Sequence, residues 1–84
     1  MTLPPNIVAR LRNTPVRELV RALERDGFSF RRTRASGRLY RHPDGRRAVI
    51  HYHSPTDTLP LGTLRSVLRG TQWSEQDLAR LGLL

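Results

Sequence analysis

The 84-residue sequence predicts a two-layer α+β domain with the element order α-β-β-β-α plus a short C-terminal helix. Two segments, before residue 27 and after residue 60, repeat their apolar residues with a helical period. Between them, three segments alternate apolar and polar residues as half-buried strands do, and the last two flank a Pro-Asp-Gly turn. We therefore expect a three-stranded antiparallel sheet with helices on one face and its other face open to solvent.

The first helix is predicted between Thr14 and Gly27. Thr14 is a favourable N-cap residue, and Pro15 follows at the first helical position, where its missing N–H costs nothing. Gly27 is expected to end the helix in a left-handed conformation, with Phe28 packing back on Leu23. The apolar stripe of this helix consists of Val16, Leu19, Val20 and Leu23.

The strands are predicted at residues 28–32, 38–42 and 46–53, and residues 54–60 are predicted to form a loop. A second helix follows, with Leu61, Leu64, Val67 and Leu68 on one side. We expect Gly70 to close it.

A short last helix is predicted to begin at Ser74, which is a good N-cap residue. Trp73 and Leu78 occupy the positions of a hydrophobic staple around it. At the other end, residues 1–13 form an N-terminal extension in which Ile7, Val8 and Leu11 are spaced for a short helical turn. The whole chain is short enough to be one domain.

The charge points to a polyanion as the partner. Fifteen basic residues against seven acidic ones give a net charge of +8, and all fifteen are arginines. This composition is typical of a nucleic-acid-binding domain, although a GC-rich genome, an acidic protein partner or a membrane surface would also account for it. Cysteine is absent, so neither disulfides nor thiolate metal sites are possible. No apolar run is long enough to span a membrane or resembles a signal peptide, and we expect a cytoplasmic protein.

The predicted element order is that of double-stranded RNA-binding domains. Within it, three motifs, "VRELVRALERDGF", "SGRLYRHPDGRRAVIHYH" and "LPLGTLRSVLRG", resemble the HicA-type toxins of bacterial toxin–antitoxin pairs. The resemblance covers residues 14–84, and "YRHPDGRR" and "LPLGTLRSVL" are its most specific parts. It implies an mRNA interferase, which is a metal-independent endoribonuclease that needs no cofactor. It also implies a HicB-type antitoxin as the protein partner and mRNA as the substrate.

One position departs from the family pattern. The family's motif before the second strand is Gly-Ser-His, and the resemblance implies that its histidine is catalytic, but this chain has Ala35-Ser36-Gly37. Gly37 has no side chain that can move a proton. The sequence leaves open whether this glycine is natural or was introduced to disarm a toxic protein.

The histidines near the third strand are the candidates for catalysis. RNA cleavage without a metal needs a base for the 2′-hydroxyl and an acid for the leaving 5′-oxygen, and imidazole can serve as either near neutral pH. His51 and His53 lie two apart in the predicted strand, so both are expected on one face, with Arg47. Solvated strand residues or RNA contacts without chemistry are the alternative. His42 is expected to bond locally in the turn, and two histidines near Asp57 do not make a zinc site.

The RNA-binding candidates are mostly arginines, for which a solvated surface charge is always the alternative. Arg34 and Arg38 flank the altered motif and are expected to hold the scissile phosphate together. Arg65 and Arg69 stand one turn apart on the second helix and could reach a neighbouring phosphate. The full set is Arg34, Ser36, Arg38, Tyr40, Arg47, Arg65 and Arg69. Tyr40 is included because its ring could stack on a base, although strand aromatics are more often core residues.

Two other functions compete with cleavage. The chain could be an RNA-binding module that has lost catalysis, or an inert half of a complex with an antitoxin-like partner. The first would bind RNA without cutting it, and the second would copurify with the product of a neighbouring gene.

Overall fold

The computed structural model describes residues 3–35 and 37–84, and confirms the predicted α+β layout. The elements in chain order are α1 (Pro5–Leu11), α2 (Val16–Asp26), β1 (Ser29–Arg34), β2 (Gly37–Arg41), β3 (Arg47–His51), α3 (Leu61–Thr71) and α4 (Glu75–Arg80). Within the described ranges, no helix is long and apolar enough to cross a membrane.

The three strands form one antiparallel sheet in the order β1-β2-β3. In the register between β2 and β3, Tyr40 lies opposite Ala48 and Leu39 opposite Val49. Side chains alternate between the two faces, so Tyr40 and Ala48 turn into the core while Val49 is 40% exposed on the other face. We call this second face, which carries Gly37, Leu39, Arg47, Val49 and His51, the open face.

The core lies between the sheet and the helices. The buried side of α2, which includes Leu19 and Leu23, packs in the same cluster as Ile50 of β3 and Leu64 of α3. Helix α3 comes so close to β3 that a Cβ on Gly70 would collide with the carbonyl oxygen of Arg47. Gly70 is therefore required for this close approach, and the helix continues past it.

The N-terminal extension is part of this core. Residues 5–11 form a complete short helix rather than a single turn, and Ile7, Val8 and Leu11 are all buried in the central cluster. The apolar spacing predicted helical structure for these three residues, whereas the sequence left open whether residues 1–13 pack on the domain.

Two predicted helix ends need correction. The N-cap of α2 is Pro15 rather than Thr14, and no side chain caps it. Instead, the N–H groups of Val16 and Arg17 donate to the carbonyl oxygens of Asp57 and Pro55, at 2.8 and 3.0 Å. The loop before α3 therefore satisfies the start of α2, a long-range contact that local sequence cannot reveal.

The other corrected end is that of α3, which is closed by Gln72 in the left-handed region with a φ of 57°, and not by Gly70. The predictions for Gly27 and Ser74 are confirmed. Gly27 has a φ of 103°, and the Phe28 N–H donates to the carbonyl oxygen of Leu23. Ser74 forms a capping box with Asp77 at the start of α4.

Candidate nucleic-acid interface

A shallow cationic cavity of about 480 Å³ lies on the open face of the sheet. Its floor is formed by Leu39 and Val49, and its basic walls by three arginines. The residues that line it are Arg32, Arg34, Gly37, Leu39, Arg47, Val49 and His51. We refer to it as the open-face cavity.

The arginines reach this cavity from both edge strands. Arg32 pairs with Leu39, and Arg34 pairs with Gly37, so both share the open face with their partners. A bulge between Phe30 and Arg32 shifts the register of β1 against β2. The side chains of Arg32 and Arg34 therefore point to the open face, whereas uninterrupted alternation from Phe30 would point them to the core. All six residues of β1 are exposed.

The three arginine side chains of the cavity are uncompensated. Within the part of the chain that the structure describes, the side chains of Arg32, Arg34 and Arg47 make no hydrogen bond and no salt bridge. Closely spaced guanidinium groups without fixed acceptors attract phosphate oxygens, which can bind them in a bidentate manner. The cavity therefore has the charge and the donors to hold an RNA backbone.

The imidazole of His51 lies directly over Gly37. The two residues are opposite each other in the β2–β3 ladder. A Cβ added to Gly37 would lie 2.7 Å from Cε1 and 2.9 Å from Nε2 of His51, and 2.7 Å from Cγ1 of Val49. The space that a side chain at position 37 would enter is thus taken by the His51 ring.

His53 does not lie on the strand with His51. Strand β3 ends at His51, and His53 follows in the loop, so the predicted alternation does not apply to it. Both histidines nevertheless line a second cavity of about 450 Å³, together with Asp57 and Thr63. A carboxylate oxygen of Asp57 accepts the backbone N–H groups of His53 and Ser54, at 3.3 and 2.9 Å, and this fixes the loop. His51 lines both cavities and therefore lies between the arginines and His53.

Arg38 points away from the open face, which corrects the expected pairing with Arg34. In the ladder it lies opposite Ile50, a core residue, whereas Arg34 lies opposite Gly37. The Arg38 guanidinium stacks on the ring of Tyr52, 4.5 Å from the centroid, and donates to its hydroxyl. The two arginines cannot hold one phosphate together.

Tyr40 is a core residue and offers no ring face to a base. Its side chain is 5% exposed and meets the Phe30 ring edge-on, with 5.7 Å between the centroids. Burial raises the pKa of the Tyr40 hydroxyl, and nearby Tyr52 and Glu24 raise it further. The expected stacking of Tyr40 on RNA is therefore corrected, because the buried ring fills the layer between sheet and helices.

His42 has the local role that the sequence predicts. Its Nε2 donates to the Asp26 carbonyl oxygen at 2.7 Å, because a carbonyl can only accept. Its Nδ1 accepts the Asp44 N–H at 3.1 Å inside the turn. His42 therefore ties the hairpin to the end of α2.

Asp26 is the centre of an ionic cluster that sequence reasoning missed. It accepts from the Trp73 indole at 2.9 Å, from Arg46 at 3.1 Å and from Arg80 at 3.0 Å. Burial raises the pKa of its carboxyl group, but these three partners outweigh burial, and the pKa lies below its usual value. Arg46, Trp73 and Arg80 lie 20, 47 and 54 residues after Asp26 in the chain, so no local sequence motif predicts the cluster.

Arg65 and Arg69 lie on the helical layer, away from the open face. Both are exposed on α3 and line a cavity of about 380 Å³ with Leu3, Pro5, Val8, Leu68 and Trp73. Ser36, the remaining candidate, lies outside the described residues. Among residues 3–35 and 37–84, no three histidine, aspartate or glutamate side chains are grouped so that they could hold a metal ion.

A family model described as the HicA toxin of bacterial toxin–antitoxin matches residues 16–73, which is more than half of the chain. The match runs from the start of α2 to Trp73 and so includes the sheet, Gly37 and His51, but leaves out α1 and α4. No curated protein matches the chain.

Proposed function

The chain belongs to the HicA toxin family and is a toxin of a toxin–antitoxin system, and we propose that it is an endoribonuclease that cleaves mRNA with His51 as the proton-transfer residue. Members of this family are generally toxin endoribonucleases. The cleaving activity, the mRNA substrate and a HicB-type antitoxin partner are the specific parts of the proposal for this chain.

The observation that carries the proposal is the position of the His51 ring. The resemblance implies that the family's catalytic histidine corresponds to Gly37 in this chain. The His51 imidazole enters the same space from the neighbouring strand, within 3 Å of a Cβ built on Gly37. A histidine on β3 therefore brings an imidazole to the place from which the family residue would project.

The surrounding charges suit the transition state of RNA cleavage. As the 2′-oxygen attacks phosphorus, negative charge grows on the phosphate oxygens, and fixed guanidinium groups stabilise it. Arg34 and Arg47 lie on opposite sides of the cavity that His51 lines, and neither is neutralised by a described residue. We assign these two arginines, with Arg32 beside them, to the phosphates.

The proposed reaction balances without a metal or cofactor. His51 takes the proton of the 2′-hydroxyl, the 2′-oxygen bonds to phosphorus, and the bond from phosphorus to the 5′-oxygen breaks. His53, at the rim of the adjoining cavity, protonates the leaving 5′-oxygen. The products are a 2′,3′-cyclic phosphate and a 5′-hydroxyl end.

The second candidate is a toxin-family domain that binds RNA and does not cut it. The absent side chain at Gly37 favours this alternative. The two candidates predict the same RNA affinity and differ only in bond cleavage.

The test is incubation of a long mRNA with the chain in EDTA, followed by mapping of both ends of any fragments. We expect fragments with cyclic-phosphate and 5′-hydroxyl ends, and a rate about 100-fold or more lower for His51→Ala. Arg21→Ala, on the exposed side of α2, is the control and should cut at the wild-type rate. RNA binding without any fragments would reject the nuclease and leave the binding domain.

A further inference from the structure

A groove lies between α1 and α3, on the side of the domain that the helices form. Leu3, Pro5 and Val8 form one wall, and Leu68 and Trp73 contribute the other side and the floor. Its volume of about 380 Å³ is within the range of specific ligand pockets, although a partner's side chains would fill it equally well. We refer to it as the helical groove.

One wall of this groove lies outside the segment that the toxin-family model matches. Helix α1 and the residues before it lie outside the segment that matches the toxin family. Leu3, Pro5 and Val8 all belong to that unmatched part. The groove therefore combines residues from inside and outside the matched segment.

Two cations stand at the rim. Arg65 and Arg69 are one turn apart on the same side of α3, and both are exposed. In the part of the chain that the structure describes, neither side chain makes a hydrogen bond or a salt bridge. An apolar floor beside two uncompensated charges is complementary to a segment that has the opposite charge around an apolar residue.

We propose that the helical groove docks an acidic amphipathic segment of a protein partner. A large apolar side chain of the partner would enter between Val8 and Leu68, and carboxylates one turn apart would pair with Arg65 and Arg69. Such central apolar anchors with a charged rim are the usual anatomy of a protein interface.

The lining favours a protein over a nucleic acid. Binding of single-stranded nucleic acid to a groove relies on aromatic rings that stack on the bases. The aromatic residue in this lining is Trp73, which is 1% exposed and donates its indole N–H to Asp26. The remaining floor is aliphatic, which suits an apolar side chain.

The antitoxin that the family implies is the natural source of such a segment, and to that extent the inference rests on the proposed function. Its test uses neither an antitoxin nor RNA cleavage. Failure of the docking proposal would therefore leave the nuclease proposal intact, and the reverse also holds.

The probe is a short synthetic helical peptide with a leucine flanked by glutamates one turn apart, and its matched control has lysines in place of the glutamates. Trp73 is the only tryptophan in the chain, so its fluorescence reports on the groove directly. Binding is also followed by backbone NMR shifts at Val8 and Leu68. We expect the acidic peptide alone to bind, and Arg65→Glu with Arg69→Glu to weaken it roughly tenfold or more.

The matched control is Arg34→Glu with Arg47→Glu, which makes the same charge change on the open face and should leave peptide binding within about twofold. Equal binding of the lysine peptide, or unchanged binding by the Arg65 and Arg69 variant, would overturn the proposal. So would shifts confined to residues outside the groove, or no binding at all. Loss of RNA binding in the Arg65 and Arg69 variant, without loss of peptide binding, would make this layer a nucleic-acid surface instead.

Discussion

Arg46 and Arg47 are consecutive in the chain, but they enter opposite environments. The Arg46 side chain is 19% exposed and is bonded to Asp26, to Asp44 and to the Thr71 carbonyl oxygen. The Arg47 side chain lies on the open face, and no described residue neutralises it. One residue of the hairpin turn thus completes the ionic cluster around Asp26, and the next residue, the first of β3, faces solvent and the open-face cavity.

The difference shows that arginine content alone does not identify a binding surface. The Arg46 guanidinium already donates to acceptors within the protein, so its charge stabilises the fold. The arginine side chains in the open-face cavity have no such acceptor among the described residues and can bind one from a ligand. In a chain with a net charge of +8, the uncompensated arginines are the informative ones.

The largest effect on the fold is expected from Asp26→Asn. The change removes the charge that Arg46 and Arg80 share and should lower the free energy of unfolding by about 3 kcal/mol, because two cations lose their partner in a partly buried site. Chemical denaturation measures this change. RNA affinity at the open face should remain as in the wild type, and a parallel loss of RNA binding would show that the two regions are not separate.

The same substitution should have a characteristic pH dependence. The pKa of Asp26 is lowered in the folded state from 3.8, so its stabilising contribution is present above that pH and is lost as the pH falls through the folded value. The difference in stability between wild type and Asp26→Asn should therefore be constant near neutral pH and shrink below about pH 3.8. A difference that persists at still lower pH would mean that Asp26 acts by packing and not by charge.

The sequence predicted the fold class because its local signals agree with one another. The helical stripes, the Pro-Asp-Gly turn, and the caps at Gly27 and Ser74 all depend on neighbouring residues. The ionic cluster was missed because its members come from α2, the hairpin turn, Trp73 and α4. Local signals cannot report such distant partners.

The candidate site was predicted only in part. Arg47 shares the open face with His51, as strand alternation predicts, and Arg34 lines the same cavity, but Arg38 and Tyr40 belong to the opposite face. The roles of these residues in RNA binding stay predictions. Alternation splits neighbouring residues between faces, and the sequence does not state which face the helices cover. Strand β3 ends at His51, and the backbone N–H of His53 donates to Asp57 in the loop that follows instead of joining the ladder.

The next effect in size concerns the open face. Arg34→Glu with Arg47→Glu should weaken binding of a single-stranded RNA about 100-fold at moderate salt, since both phosphate contacts are replaced by repulsion. The salt dependence of binding should also become shallower. Arg65→Glu with Arg69→Glu has the same net charge and should change RNA affinity far less, because those arginines lie on the helical layer. Equal losses in both variants would mean that total charge, and not the open-face cavity, binds RNA.

The smaller effect compares the two consecutive arginines directly. Arg46→Ala should lower the free energy of unfolding by about 2 kcal/mol, since Asp26 and the Thr71 carbonyl oxygen lose a charged donor. Arg47→Ala should change it by less than about 0.5 kcal/mol, as expected for a surface side chain without fixed partners. RNA binding should be weakened more by Arg47→Ala than by Arg46→Ala. Similar stability losses for both variants would contradict the division between the cluster and the open face.

The most direct test of the central claim moves the imidazole from β3 back to β2. All proteins in this test carry Val49→Ala, because the Cγ1 of Val49 would also crowd a side chain at position 37. The first variant adds His51→Gly to this parent, and the second adds both His51→Gly and Gly37→His. RNA cleavage should fall about 100-fold or more in the first variant and recover substantially in the second. If His51→Gly cuts as fast as its Val49→Ala parent, His51 is not the proton-transfer residue and the account is wrong.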